Sequence, residues 1–391
     1  MFAISQEKYL FILKTLIYLL AFVIPISLGG LNTVSVILFL LFIFYIIRYK
    51  TLKFWDDDLS KGIFLFTLSI LISYFFAYNK KSVVEFFVSP YLKYFLLFFV
   101  IVNTLKEKKD ILNVLKLYWI SSLIGALFSL YEYLVLNINR VSGFTHNANR
   151  LGSSMMIFAL FNYGILLNSK KKSVKLIGFI GIVISVSSLF ASASRGALLG
   201  LLFGLFIMTI ITRKKNFIIL IILLILISVF MPTSFLVRIN KIVDFESNNV
   251  QQRLLMYPAG LKVFKDNFLT GIGLNNSRNI FDHYKFPRLT NNYKHLHNLF
   301  LNTAVEQGIL GLISLIYIIY VVFKYTVKDY RKNIDFYNLS FMGIFAGQMI
   351  QNIFDVTMYG DEVGFIIVLL GSIMFIKSKY IIKFEEFIDI K

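Results

Sequence analysis

The stretch HNLFLNTAVEQGILGLISLIYIIYVVF, residues 297–323, decides the fold class of this chain. After a polar start it stays apolar for longer than a helix in a soluble domain requires. About twenty helical residues, rising about 1.5 Å each, cross a bilayer core of about 30 Å. His297 stands where a long polar segment enters this helix, and the nearby pair Gly308 and Gly311 predicts close helix packing beneath it. The stretch therefore predicts a membrane helix that carries a titratable imidazole at its surface end.

The composition of the whole chain favours the same class. Hydrophobic residues make up 58% of 391, and Phe alone contributes 42. This content is typical of an all-α polytopic membrane protein. There is no Cys, which excludes disulfides and thiolate metal sites, and the four His show no H-x-x-x-H pair. We therefore expect no metal and no cofactor. The net charge of +19 is attributed to charges that anchor cytoplasmic loops rather than to nucleic-acid binding.

Apolar runs long enough to span a bilayer, or nearly so, occur twelve times. They lie near residues 10–28, 32–47, 62–77, 91–104, 113–136, 151–168, 174–191, 196–212, 216–231, 298–323, 336–354 and 362–376. The first run lacks a small-residue cleavage site, so it is interpreted as a retained helix. Basic residues concentrate in the loops that follow even-numbered runs, which predicts that both termini are cytoplasmic.

This pattern divides the chain into three parts. Residues 1–231 hold nine predicted membrane helices, 232–297 form one large outer loop, and 298–391 hold the last three helices and a short tail. Within the loop, VQQRLLMYPAGLKVFKDN (250–267) and the next residue repeat apolar side chains near helical period, here Leu254, Tyr257, Leu261, Phe264 and Phe268. We expect short amphipathic helices over the membrane face, with a turn at the following glycines, Gly271 and Gly273.

His297 is the leading candidate for chemistry at the outer face. An imidazole can accept a proton near neutral pH, although a histidine at a helix start often only satisfies a backbone carbonyl. Arg195, in SASRGALLG (192–200), enters an apolar helix among small residues, which favours a guanidinium that faces a cavity. The alternative is an arginine that reaches out to lipid headgroups. Arg253 offers a planar guanidinium suited to phosphate oxygens, although most loop arginines are merely solvated.

Other polar residues share the predicted outer side. The segment RVSGFTHNANR (140–150) carries Arg140 and Arg150, with Asn147 and Asn149 as possible helix caps, and its His146-Asn147 pair is interpreted as structural. Asp355 could orient an imidazole or an arginine, or only balance local charge. No two carboxylates form a convincing pair, which argues against a glycosidase with two catalytic carboxylates. One His with several Arg instead fits transfer from a donor activated by a phosphate leaving group.

These residues resemble the O-antigen ligase and polymerase superfamily of bacterial envelope enzymes. His297, Asn298, Gly308 and Gly311 match its signature H-[NSQ]-x9-G-x-x-[GTY]. The segment QQRLLMYPAGLKVFKDNFLTGIG is similar to the family's arginine-to-G-x-G stretch, and SASRG resembles the site of a second functional arginine. RVSGFTHNAN is like the element R-x-S-G-x-F-x-N-P-N, except that alanine replaces the usual proline, which weakens the resemblance at Arg140.

The resemblance implies a metal-independent glycosyltransferase of GT-C-like fold, multi-pass in the bacterial inner membrane. We expect inversion at the anomeric carbon, because no nucleophilic carboxylate is evident for a two-step route. It would transfer glycan from undecaprenyl diphosphate to a hydroxyl of lipid A–core at the periplasmic face. His297 would be the general base, Arg195 and Arg253 would bind the diphosphate, and Arg140, Asn298 and Asp355 are further candidates. The single late loop favours a ligase over a polymerase that extends lipid-linked glycan. The rivals of other classes are a transporter of lipid-linked glycan and a purely structural subunit.

Overall fold

The computed structural model describes most of the chain. The described residues are 5–50, 57–212, 248–279, 284, 295–332, 335–384 and 386–387, with only the backbone at 248–254 and 332. Every regular element in them is helical, as the sequence predicts for an all-α membrane protein. The α-helices are α1 Gln6–Val23, α2 Leu28–Tyr49, α3 Asp58–Phe75, α4 Lys80–Phe86, α5 Leu92–Thr104, α6 Lys108–Leu134, α7 Ala148–Asn168, α8 Lys172–Ser192, α9 Arg195–Ile211, α10 Asn248–Asp266, α11 Leu299–Lys332, α12 Phe336–Phe354 and α13 Asp361–Tyr380.

The described helices include eight that are long and apolar enough to cross a membrane. They are α2, α3, α4 continued into α5, α6, α7, α8, α11 and α13. A π-helical turn, Phe87–Tyr91, joins α4 to α5, so this span is longer than the apolar run at 91–104. Eleven of the twelve predicted runs coincide with described helices, and the run at 216–231 lies outside the described residues. The chain is thus a multi-pass membrane protein, and its count of twelve spans stays a prediction.

Helix α7 forms the centre of the bundle, where it packs against α8, α9 and α12. It is buried almost continuously from Leu151 to Ile165, which explains why its sequence lacks a polar face. Two glycine pairs bring α9 and α12 together. A Cβ on Gly200 would stand 2.6 Å from the carbonyl oxygen of Gly347, and one on Gly204 would stand 2.7 Å from that of Gly343. This contact sets the first residue of α9 beside the last turn of α12.

The predicted loop helix is present as α10. Met256, Ala259 and Val263 are buried, whereas Leu261 is 50% exposed. Met256 and Val263 pack with a small group on α11 and its flanking loops, Ile272, Leu296 and Val305. Phe264, from the apolar residues that the sequence singles out, is partly buried against the same group.

At Gly308 the close contact is made with the backbone of a loop. Gly308 breaks α11 with φ 67° and ψ −164°, and the loop Phe268–Gly273 enters the break. There the N–H of Ile309 donates to the Phe268 carbonyl at 2.8 Å, and the N–H of Ile272 donates to the Val305 carbonyl at 3.0 Å. The predicted turn is confirmed, since Gly271 and Gly273 both take positive φ. The break therefore ties the large loop to the helix that follows His297.

Substituting Gly308 with alanine should destabilise the protein by about 2 kcal/mol or more. A Cβ at Gly308 would stand 2.4 Å from the Leu269 carbonyl oxygen, on a backbone that L residues rarely adopt. We expect thermal unfolding in detergent to shift down by roughly 5 °C. Gly29→Ala in α2 is the control, because no atom lies within 4 Å of its added Cβ. An equal Tm for Gly308→Ala and wild type would contradict this role of the break.

Candidate active site

His297 and Asn298 form the turn that starts α11. His297 has a φ of 51°, in the left-handed region that non-glycine residues seldom occupy and that is enriched at functional sites. Asn298 is the N-cap, since its Oδ1 accepts the N–H of Leu301 at 2.9 Å. The backbone N–H of His297 donates to Nδ1 of His295 at 3.2 Å. The turn therefore fixes the direction in which the His297 ring leaves the helix end.

Asp355, which ends α12, pairs with that ring. Nδ1 of His297 lies 3.0 Å from Oδ1 of Asp355, and the two side chains are only 18% and 15% exposed. Burial raises the pKa of the Asp355 carboxyl, but the hydrogen bond and charge of His297, with the nearby His295, outweigh it and lower the pKa to about 2. Asp355 is therefore a carboxylate at neutral pH and can hold a proton on Nδ1 of His297.

The second oxygen of Asp355 is held by Asn149 from α7. Asn149 donates through Nδ2 to Oδ2 of Asp355 at 2.7 Å and accepts at Oδ1 from Nη2 of Arg140 at 2.9 Å. Asn147 is the cap of α7, because its Oδ1 accepts the N–H groups of Asn149 and Arg150. A hydrogen-bonded series thus runs from Arg140 through Asn149 and Asp355 to His297.

Arg195 lies at the same end of the bundle. It is half-buried as the first residue of α9, and the neighbouring Gly196 faces Gln351 of α12, with 3.6 Å between an added Cβ and Cγ of Gln351. The preceding Ser194 touches Gly152 in the first turns of α7. Three helices, α7, α9 and α11, therefore begin around the end of α12. Helix N-termini carry partial positive charge, so this end of the bundle favours an anion.

The three other candidates in the predicted outer segments are Arg253, Arg150 and His146. The side chain of Arg253 lies outside the described residues, although its backbone is helical in α10. Arg150 pairs with the buried Glu362, with 3.3 Å between Nη1 and Oε2. His146 repeats the left-handed turn of His297, with φ 51°, but its side chain is exposed. Of these three, none is placed by the described contacts at Asp355.

Two further polar residues support the turn at His297. Asn302 accepts the N–H of Leu296 at Oδ1 (3.1 Å) and donates through Nδ2 to the hydroxyl of Tyr359 at 3.5 Å. One turn later on α11, the buried Glu306 accepts the N–H of Ser277 at 3.2 Å. Asn302 thus links the residue before His297 to the loop after Asp355, and Glu306 holds the large loop in place.

Sequence reasoning missed both Asn149 as a partner of Asp355 and a possible metal-ligand group. Within the described chain, His295, His297 and Asp355 each offer a ligand atom, and these atoms lie within 4.8 Å of one another. No H-x-x-x-H spacing signals the group, since its third member stands 58 residues from His297. Nδ1 of each ring is already engaged in a hydrogen bond, His295 with a backbone N–H and His297 with Asp355. This pattern fits proton transfer and positioning of the imidazole.

Comparison with known proteins supplies one match. No curated protein matches the chain. A family model described as O-antigen ligase matches residues 180–316, which run from α8 through α9 and α10 into α11. The matched segment contains Arg195, Arg253 and His297, whereas Asn149 and Asp355 lie outside it. Over this segment, about a third of its length, the chain is similar to the O-antigen ligase family.

Proposed function

We propose that this protein is an O-antigen ligase that moves a glycan from undecaprenyl diphosphate to a hydroxyl of lipid A–core. The reaction takes place at the periplasmic face of the bacterial inner membrane and needs neither a metal nor a cofactor. The observation that carries this proposal is the 3.0 Å pairing of His297 with Asp355 at the start of a membrane helix. It stands in a chain whose residues 180–316 match the O-antigen ligase family.

His297 and Asp355 are arranged so that the imidazole can remove one proton from the acceptor hydroxyl. With the Asp355 carboxylate accepting the Nδ1 proton, the lone pair of the His297 ring is on Nε2 and can accept the proton of the acceptor hydroxyl. The acceptor oxygen then forms a bond to the anomeric carbon while the bond from that carbon to the diphosphate oxygen breaks. The diphosphate leaves with the electron pair. A single displacement of this kind inverts the configuration of the anomeric carbon, and Asp355 stabilises the imidazolium that results.

Arginines and helix ends supply the positive charge that the departing diphosphate requires. Arg195 contributes a guanidinium at the start of α9, and α7 and α11 begin at the same end of α12. Arg253, on the loop helix, contributes the second guanidinium. Arg140 has a different role, because its bond to Asn149 makes it a positioning residue for Asp355. Asn298 acts through the helix cap that sets the direction of the His297 ring.

The site requires a defined topology. Residues 1–231 would form nine membrane helices, 232–297 the large periplasmic loop and 298–391 the last three helices with a cytoplasmic tail. Both termini then lie in the cytoplasm, and the starts of α7, α9 and α11 face the periplasm. The concentration of basic residues in the loops of the opposite side supports this orientation.

A transfer assay with purified protein tests the proposal. Protein in lipid nanodiscs is given undecaprenyl-diphosphate glycan and lipid A–core in the presence of EDTA, and products are separated by the lipid that carries the glycan. We expect glycan on lipid A–core. Longer glycan that is still on undecaprenyl diphosphate would show a polymerase instead. In a parallel assay with the protein in sealed vesicles, movement of donor across the bilayer without any transfer would show a transporter.

The same assay tests whether the reaction needs a metal. We expect equal rates with EDTA and with added divalent cations, since the proposed proton transfer uses only the imidazole of His297 and its carboxylate partner. Loss of transfer in EDTA with recovery on adding a transition-metal ion would identify His295, His297 and Asp355 as a metal centre. That result would overturn the metal-independent mechanism.

A further inference from the structure

Two large apolar side chains just after the end of α10 are exposed at the surface of the protein. Leu269 is 65% exposed and Phe268 is 47% exposed. Both belong to the loop that enters the break of α11, where a Cβ on Gly308 would stand 2.4 Å from the Leu269 carbonyl oxygen. Because apolar side chains favour hydrocarbon over water, the depth of this loop in the membrane decides what surrounds them.

The length of α11 gives this depth. Lys324 of α11 and Asp58 at the start of α3 form an ion pair, with 2.6 Å between Nζ and Oδ2. Charged groups are costly in hydrocarbon, so this pair marks one boundary of the hydrocarbon core. Gly308 lies 16 residues before Lys324, which places it about 24 Å from that boundary. A core of about 30 Å therefore extends about 6 Å beyond Gly308.

Helix α3 gives an independent measure of the same depth. Ser69 of α3 donates to Oε1 of Gln307, the residue before Gly308, at 2.8 Å. Ser69 lies 11 residues after Asp58, which corresponds to about 17 Å from the same boundary. Both measures place the break of α11 inside the hydrocarbon core, and with it the loop residues that are bonded to the break.

The backbone of this loop is suited to such a depth. Hydrocarbon offers no hydrogen-bond partners, so a broken helix and a loop can lie in it only if protein groups satisfy their backbone. Three hydrogen bonds join the loop to α11 around the break: Ile272 N–H to the Val305 carbonyl at 3.0 Å, Gly273 N–H to that of Glu306 at 2.9 Å, and Ile309 N–H to that of Phe268 at 2.8 Å. The helix and the loop therefore satisfy each other without water.

The surface around Leu269 continues the lipid-facing side of the bundle. On α11, the exposed residues Leu310 and Ile313 follow the break. In the last two turns of α10, Lys262 and Lys265 are exposed as well. An apolar tip beside lysines matches a phospholipid leaflet, whose hydrocarbon suits the apolar side chains and whose phosphates suit the ammonium groups.

We propose that Phe268 and Leu269 insert into the hydrocarbon of a phospholipid leaflet and that Lys262 and Lys265 contact its phosphates. The end of α10 is thereby anchored in the bilayer, which differs from the helix lying over the membrane face that the sequence predicts. Helix α10 then cannot leave the membrane surface without moving both apolar side chains from hydrocarbon into water. This inference does not depend on which reaction the candidate site performs.

Spin labelling tests the inference, because the chain has no Cys and one introduced Cys is labelled at one position only. Leu269→Cys carries the test label, in full-length protein reconstituted in phospholipid nanodiscs. Ile313→Cys is the reference for hydrocarbon. Lys81→Cys is the reference for water, because the Lys81 side chain is 85% exposed in the first turn of α4. Collisions of each label with O₂ and with a water-soluble nickel chelate give its depth.

The label at Leu269→Cys should collide with the nickel chelate about tenfold less often than the label at Lys81→Cys, and should lie about 5 Å or more below the phosphates. A Lys265→Cys label should lie at the level of the phosphates. Equal nickel collisions for the Leu269 and Lys81 positions would overturn the inference. Spin–spin broadening at Leu269→Cys that disappears on dilution with unlabelled protein would also overturn it, because a second copy of the chain would then cover this face.

A second measurement uses the protein without substitution. If Leu269→Cys does not fold, nanodiscs that contain a phospholipid with a diazirine on its acyl chain are irradiated, and the labelled residues are identified by mass spectrometry. We expect labels on Phe268 and Leu269. Labels on the exposed residues of α2 and α11 but on neither Phe268 nor Leu269 would contradict the insertion.

Discussion

Replacing His297 with asparagine should lower the rate of glycan transfer by roughly 10³-fold while the protein stays folded. Asparagine tolerates the left-handed backbone at this position, so the turn that starts α11 is retained. It cannot accept the acceptor's proton as an imidazole does, and the attacking oxygen must then react while still protonated. The measurement is the single-turnover rate at saturating donor, because weaker binding of the donor then does not lower the measured rate.

His146 supplies a matched control for this substitution. It has the same φ of 51°, it precedes the Asn cap of a helix, and its side chain is exposed. His146→Asn should therefore transfer glycan within about twofold of wild type. A His297→Asn variant that transfers at a rate near wild type would remove His297 from the chemistry and leave it as a structural helix-start residue.

Replacing Asp355 with asparagine should slow transfer by about 10²-fold. The substitution keeps the shape of the side chain but removes the charge that stabilises the imidazolium. An amide can also present N–H to Nδ1 of His297, which favours the tautomer whose proton is on Nε2. Asn149→Ala, which removes only the second partner of Asp355, should have a smaller effect, about tenfold. An Asn149→Ala variant slower than Asp355→Asn would contradict this order.

The pH dependence of stability checks the charge of Asp355 separately. Its pKa is lowered in the folded protein to about 2, from an ordinary value of 3.8. A lowered pKa means that the ionised group stabilises the fold above the ordinary value and that this contribution is lost as pH falls toward 2. The Tm difference between wild type and Asp355→Asn should thus be present at pH 5 and be lost as pH falls from about 4 toward 2. A difference that is already lost at pH 5 would show that the carboxyl of Asp355 titrates at a higher pH.

Local patterns in the sequence were sufficient for the helices and for the position of His297. Apolar length locates eleven predicted runs on described helices, and the change from polar to apolar residues locates the start of α11. The length of an apolar run and the change from polar to apolar residues both depend only on residues adjacent in the sequence. The face of α10 that packs against the protein cannot be derived locally, because the side chains that cover Met256 and Val263 come from other parts of the chain.

The partners of His297 could not be derived in the same way. Asp355 lies 58 residues from His297 in the chain, and Asn149 lies 206 residues from Asp355. Asn149 beside Asn147 reads as a helix cap, and only the packing of α7 against α12 shows that its side chain has another partner. The surroundings of Gly308 could not be derived from local sequence either. A glycine in an apolar helix predicts contact with another helix, whereas in the structure a loop packs against the helix where Gly308 interrupts it.

The most direct test of a shared role for His297 and Asp355 is a double-mutant cycle on the single-turnover rate of glycan transfer. His297→Asn, Asp355→Asn and the variant with both changes are compared with wild type. If Asp355 acts only through the imidazole, the double variant should be within about threefold of His297→Asn alone. A double variant slower by the product of the two single effects, about 10⁵-fold, would show that the residues act independently and would contradict the proposed proton-accepting pair.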